Sequence, residues 1–542
     1  MSAPLELLRR WRTADPEART LFIEAAATLT LAQLATRLLP FRWIARYACR
    51  PMAFTQQSDV GERISLAIRR AVRHHPLTLP CLAQALAAQA MSRRRNVSVR
   101  LEIGVGRDAR GTLIAHAWSV AGDQILTGAR EATRVSLIKT LDNQPAPSTL
   151  TLVAHCCCRP MSTEMAVAIR ATTQATDFDW ARFLRVAERQ RVVSLSWQGL
   201  QLAGVTPPVA IVDKLKARVQ ADAMAGLRLS ASALQAAAAL ETKGIPCAML
   251  KGPALAHALF GSVAVRRSKD LDLLVRPEDF DRAAETLIAA GYTRTTPAAQ
   301  LQSPALLSRY RALRKDFGFT NATQTVQIEL HHRLTDSPSL LPTPPSERWI
   351  HGSLGEGRTI RTLAPDDHLL YLCVHGAGHA WMRLKWLVDV AVLINRMPPD
   401  DLATFVQRSR SLGLDRCVGS ALLLAAQWFT CPLEPALKRS LGADPNTQRL
   451  CRTANRLLTA GDGATELERQ PFGTTRVMLT QFLLHRSWRY KLATLETLLL
   501  HDADYATIAL PTAMHRLYPL LRLPLWLLRK LRDRGRSPER RR

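Results

Sequence analysis

Two aspartates one residue apart constrain this chain more than any other feature. They stand in Asp270-Leu271-Asp272-Leu273-Leu274-Val275, a run that reads as a strand. A strand alternates its faces, so both carboxylates share one face while Leu271 and Leu273 point into a core. Two carboxylates that close are costly unless a cation sits between them. Hard oxygen ligands at that spacing suit Mg²⁺, above all Mg²⁺ that also holds phosphate. Downstream, Val326–His331 alternates in the same way and puts Glu329 and His331 on one face. If that run lies beside the first, Asp270, Asp272 and Glu329 form a set able to hold two Mg²⁺ ions for phosphoryl chemistry. Upstream, Leu250-Lys251-Gly252 ends an apolar run and opens a helical segment, Pro253–Phe260. Lys251, Gly252 at its turn, and Arg267 are the candidates for holding the triphosphate of an NTP. A bare Asp-x-Asp is ordinarily a solvated strand edge; the whole set in this order is what points to chemistry.

These residues carry a resemblance. Leu250-Lys251-Gly252, then Arg267 to Val275, then Ile328-Glu329-Leu330-His331 is similar to the uncharacterised nucleotidyltransferase family of bacteria, in the polymerase-β-like superfamily. His368–Val390 continues the likeness. The resemblance implies Mg²⁺-dependent nucleotidyl transfer from an NTP, with Asp270, Asp272 and Glu329 as metal carboxylates and Lys251-Gly252 as the nucleotide-side turn. Glu329 stands where Asp is commoner in that family, and it still ligates. His375 and His379 are four apart in a helical segment. With no acid between them in a His-Glu-x-x-His pattern, they read as a buried polar pair or a wall of the nucleotide site before they read as zinc ligands. Asp279 and the pair Asp366-Asp367 read as helix caps.

A second chemistry lies near the N-terminus. Val60–His74 has helical periodicity, and the turn His75–Pro80 breaks it. Cys81 then opens a new helix directly after proline. A helix dipole favours thiolate at its first turn, which is where a nucleophilic cysteine belongs. Strands follow at Val97–Val105 and Thr112–Val120, the second carrying His116. A cysteine opening a helix with a histidine on a later strand is the arrangement of papain-like and transglutaminase-like cores. The text Leu79-Pro80-Cys81-Leu82, then Arg93 to Val97, Leu101 to Gly106 and Ala115-His116-Ala117-Trp118 resembles the lasso-peptide biosynthesis B2 protein family, cysteine proteases that remove a leader from a ribosomal precursor peptide. The resemblance implies Cys81 as nucleophile and His116 as base. The family's acid falls at the position of Gly128, so Asp123, or else Glu131, is the substitute.

At 542 residues the chain exceeds a single core. With 47% hydrophobic and 22% charged residues it is globular. Ten scattered cysteines, three of them consecutive at Cys156–Cys158, are no disulfide framework and imply a reducing cytoplasm. The net charge of +28 favours acidic partners, though no nucleic-acid motif accompanies it and no stable nucleic-acid complex is expected. The apolar run Leu21–Leu39, interrupted by Glu24 and Arg37, reads as a core helix and not as a signal peptide or a membrane span.

The expected fold is α+β: a papain/transglutaminase-like domain over 1–142, a linker at 143–154, a polymerase-β-like α/β nucleotidyltransferase domain over 155–400, a helical extension over 401–531 and a basic tail at 532–542 that touches anionic membrane weakly at most. The expected function is peptide maturation by leader cleavage and nucleotidyl transfer. The expected partners are a leader-bearing precursor peptide, a leader-binding protein and an asparagine-synthetase-like cyclase. Two alternatives stay open: an N-terminal domain that binds a leader without cutting it, and a transferase that modifies nucleic acid.

Overall fold

The computed structural model describes residues 15–48, 58–76, 78–95, 97, 99–107, 112–121, 124–132, 135–141, 148–176, 178–297, 303–321, 326–470, 472–499 and scattered positions from 504 to 528. The chain divides into two compact units, Met1–Ser148 and Thr149–Arg542. The stretch 143–154, expected as linker, thus contains the start of the second unit's first helix, Thr149–Cys156.

In the first unit, helices Pro16–Leu38, Ser58–His74 and Cys81–Arg94 pack on an antiparallel sheet. Its strands are β1 (Arg100–Arg107), β2 (Leu113–Ala121), β3 (Gln124–Thr127) and β4 (Ser136–Leu141), in the order β3-β2-β1-β4. Asp15 caps the first helix, accepting from the Ala18 amide at 3.3 Å, and Pro16 starts it without a missing donor. By length and composition alone this helix is apolar enough to cross a membrane, but Leu21, Ala25, Leu29 and Ala32 lie in the unit's core. Glu24, within the same helix, pairs with Arg94 and Arg95 at 2.8 and 2.5 Å.

The second unit is built on a seven-stranded sheet. Its strands are β5 (Cys247–Met249), β6 (Asp270–Val275), β7 (Thr293–Thr296), β8 (Asp316–Asn321), β9 (Val326–His331), β10 (Ile350–Gly355) and β11 (Arg358–Thr362). The order is β10-β11-β5-β6-β9-β8-β7. β6 lies parallel to β9, with Asp272 opposite Glu329. Leu271, Leu273 and Val275 enter one core with Leu240 of the helix Val209–Glu241 and Phe280 and Leu287 of the helix Phe280–Ala289. Leu274, on the aspartate face, enters the other core, which holds the helices Pro365–Gly378 and Leu384–Asn395. The aspartates are therefore covered by helix on the face where chemistry was expected.

Asp279 takes the expected N-cap position of the helix Phe280–Ala289, but neither it nor the Asp366-Asp367 pair makes a capping bond, for one reason, competition from arginine. Asp279 makes no capping bond and instead meets Arg276 and Arg282 at 2.6 and 3.1 Å. The helix Pro365–Gly378 is entered through Ala364, while Asp366 and Asp367 sit in its first turn and pair with Arg348 and Arg408. A guanidinium offers a charged, forked donor where a backbone amide offers one neutral N–H.

Candidate active site

The candidate site of the second unit begins at the end of β5. Gly252 has φ 78° and ψ −141°, a conformation essentially closed to other residues, and it turns the chain into the helix Pro253–Phe260. His368 Nε2 donates to the Leu250 carbonyl at 2.7 Å and ties down the same turn. Lys251 thereby reaches the neighbouring strand β6, its Nζ 3.0 Å from Asp272 Oδ1. Asp272 is 1% exposed. Burial alone would raise its pKa, but the charges of Lys251, then His331 and Lys315, overcome this and hold it well below the usual carboxylate range.

β9 brings two further groups to that face. His331, fully buried, has Nε2 3.3 Å from Asp272 Oδ1 and 3.6 Å from Glu329 Oε2. Among the described residues, Asp272, Glu329 and His331 form the one group whose ligand atoms all lie within 4.8 Å of one another. Asp270 shares the strand face but stands outside that group. Burial raises the pKa of Asp270, and the charges of Asp272 and Glu329 raise it further.

A divalent cation suits these residues. Asp272 Oδ1 carries the Lys251 ammonium at 3.0 Å, and both ring nitrogens of His331 are buried without an aligned hydrogen-bond partner among the described residues. Buried polar atoms left so are rare and call for an explanation such as an ion.

The loop before β6 is held by Arg266, whose fork meets both oxygens of Asp389 at 2.8 Å, with both side chains buried. Arg267, nominated for the triphosphate, has its Nε 3.7 Å from Asp222 Oδ1 on the helix Val209–Glu241. Of these adjacent arginines, the first positions the site and the second turns toward that helix. Lys315 was not foreseen. It contacts Asp316 and lies 3.9 Å from Glu329 Oε2. Burial opposes its charge, but Asp316 overcomes this and raises its pKa. Its only sequence signal is the lysine-aspartate pair that opens β8.

His375 and His379 pack ring against ring at 4.6 Å, and His379 stacks on Trp386. With Lys315 and Tyr371 they line a cavity of about 350 Å³. They are absent from the metal-ligand group. The Tyr371 hydroxyl is buried and has no hydrogen-bond partner among the described residues.

In the first unit, Cys81 opens its helix after Pro80. Its Sγ accepts from the Ala117 amide at 3.4 Å, so the thiol meets β2 one residue from His116. No hydrogen bond joins Sγ to the imidazole among the described residues. His116 Nε2 instead lies 3.2 Å from the Gly128 carbonyl oxygen, and its ring stacks with Trp118 at 6.0 Å. A carbonyl only accepts, so Nε2 carries the proton and Nδ1 the lone pair of the neutral ring. Asp123 and the side chain of Glu131, the two candidates for the third group, lie outside the described residues. So does the basic tail at 532–542. Cys156, Cys157 and Cys158 are buried in the helical core, where burial pushes the Cys157 thiol up to about 12. They belong to packing.

Comparison with known families agrees with this division. Residues 25–139 match the transglutaminase-like superfamily, and residues 176–430 match the uncharacterised nucleotidyltransferase family. The chain thus carries a transglutaminase-like domain followed by a nucleotidyltransferase domain. No curated protein and no solved structure matches it.

Proposed function

We propose that this chain matures a ribosomally made peptide, cutting a leader with its first domain and transferring a nucleotidyl group with its second. The observation that carries the transferase half is the convergence of Asp272 and Glu329 on adjacent parallel strands, with the ammonium of Lys251 on the same carboxylate. Asp272 and Glu329, with Asp270 beside them, would hold a divalent cation, Mg²⁺ in the sequence reading, which when bound neutralises charge on the phosphates. Lys251 orients the triphosphate and exchanges its contact with Asp272 for one with phosphate oxygen. The acceptor's oxygen attacks the α-phosphorus, the bond to the β-phosphate breaks, pyrophosphate leaves, and the acceptor's proton passes to solvent. The test is NTP labelled at the α-phosphate, incubated with the chain and a precursor peptide. Label should appear on the peptide and vanish in Asp272→Asn; label on added RNA and not on peptide would favour the nucleic-acid alternative.

For the first domain, Cys81 attacks the leader's scissile carbonyl, His116 returns a proton to the departing amine, and water then releases the acyl group from sulfur. Support comes from the cysteine at a helix start and from the Gly128 bond, which leaves Nδ1 as the basic nitrogen. The expected companions are a leader-binding protein and an asparagine-synthetase-like cyclase. The expected compartment is the cytoplasm, in keeping with free thiols at all nine described cysteines. The Gly128 carbonyl at His116, where the resembled proteases carry an acid, favours a second reading, a module that binds leader without cutting it. Cleavage of a cognate precursor that survives in Cys81→Ala would remove the peptidase reading.

A further inference from the structure

We infer that His331 is a metal ligand of the transferase site, and that this imidazole turns the site's preference from Mg²⁺ toward Mn²⁺. The inference rests on the reading of Asp272 and Glu329 as metal carboxylates. It adds a nitrogen donor to a site expected to be all oxygen.

Three observations lead to it. His331 is 0% exposed, and neither ring nitrogen has an aligned hydrogen-bond partner among the described residues. A buried imidazole is otherwise held by at least one such bond. Its Nε2 is directed at the carboxylates, 3.3 Å from Asp272 Oδ1 and 3.6 Å from Glu329 Oε2. Those separations suit neighbouring donors around one ion, which for bonds of about 2.1 Å at right angles lie roughly 3 Å apart. Finally, His331 is two residues after Glu329 on β9, so strand alternation presents both to one face without a special turn. The position is built into the strand and does not depend on a loop.

Donor chemistry then sets the selectivity. Carboxylate and water suit Mg²⁺ and Mn²⁺ alike, whereas imidazole nitrogen belongs with the transition metals. Mg²⁺ also asks for near-ideal octahedral oxygen and gives up its water reluctantly. A site of two carboxylates and one imidazole, closed on a third side by Lys251, suits Mn²⁺ better.

The full chain, stripped with a chelator, is titrated with Mn²⁺ alone and with Mg²⁺ alone. Mn²⁺ should bind at least about tenfold more tightly. Pulsed electron paramagnetic resonance of the Mn²⁺-loaded chain should show nitrogen coupling that changes when histidine carries the heavy nitrogen isotope. H331Q should abolish the coupling and weaken Mn²⁺ by about 10–100-fold, a loss in the range known for perturbed metal sites. H375Q, which alters the neighbouring cavity wall, should keep both. Bound Mn²⁺ without histidine coupling, or coupling that survives in H331Q, overturns the inference and leaves the carboxylate site standing. A chain that binds neither ion, with D272N indistinguishable from it, removes the metal reading and this inference together. The isotope comparison uses the unaltered chain, so absence of coupling there overturns the assignment even if H331Q does not fold.

Discussion

The main-chain oxygen of Gly128 lies 3.2 Å from His116 Nε2, so a backbone carbonyl meets the imidazole where the resembled proteases carry an acid side chain. Gly128 has φ +75°, and a Cβ built on it would stand 2.6 Å from that same nitrogen. The glycine is thus what allows the carbonyl to reach the ring.

This relationship makes Gly128→Asp a damaging change and not a repair. The carboxylate would enter on a strained backbone and push the ring away. Alkylation of Cys81 by iodoacetamide, followed against pH, reads the coupling of thiol to imidazole without a substrate. The variant should lose about tenfold in rate near neutrality, and His116→Ala should lose as much. A faster Gly128→Asp would show that an acid had been missing.

The buried pair of Arg266 and Asp389 should dominate the stability of the second unit's sheet. Removing one partner leaves an uncompensated charge, so Asp389→Ala should cost about 3–5 kcal/mol in denaturant unfolding. Replacing both by apolar residues of similar volume should cost far less. Equal losses in the single and double variants would mean that the pair does not act as a unit.

Gly252→Ala should destabilise by about 1–3 kcal/mol, because φ 78° with ψ −141° is open to glycine alone. Nucleotide affinity should fall with it, since the same turn aims Lys251. A loss of affinity with unchanged unfolding free energy would separate the two effects.

Glu24 gives the first unit an acid limit. Its hydrogen bond with Arg95 lowers its pKa; burial opposes this, and Arg94 assists. A carboxyl depressed in the folded state stabilises above its unfolded pKa, and that contribution is lost as pH falls through the folded value. Glu24→Gln should therefore melt lower than the parent at neutral pH, by on the order of 1 kcal/mol, and the gap should close on acidification. A gap that persists below the folded value would place the effect elsewhere.

Much of this was legible before coordinates. Alternation placed Asp270 and Asp272 on one strand face, and Glu329 and His331 on another, because a period of two needs only local sequence. Proline before Cys81 marked a helix start for the same local reason. What sequence concealed was pairing over distance. Asp389 follows Arg266 by more than a hundred positions, and nothing local distinguishes it from a solvated acid. Asp279 and Asp367 looked like caps because capping is a local rule; Asp279 is taken by arginines only three residues away on either side, Arg276 and Arg282, whereas Asp367 is taken by Arg348 and Arg408 from far along the chain. His331 was visible on the face of Glu329, yet its role depends on register with β6, which is a property of the sheet.

The ammonium of Lys251 already rests on Asp272 before any ion arrives. Under the proposed function, loading the centre would be an exchange of one cation for another, with the displaced lysine released toward incoming phosphate. A chain so built would keep its carboxylate neutralised when divalent ions are scarce, and would link the arrival of metal to the readiness of its nucleotide grip.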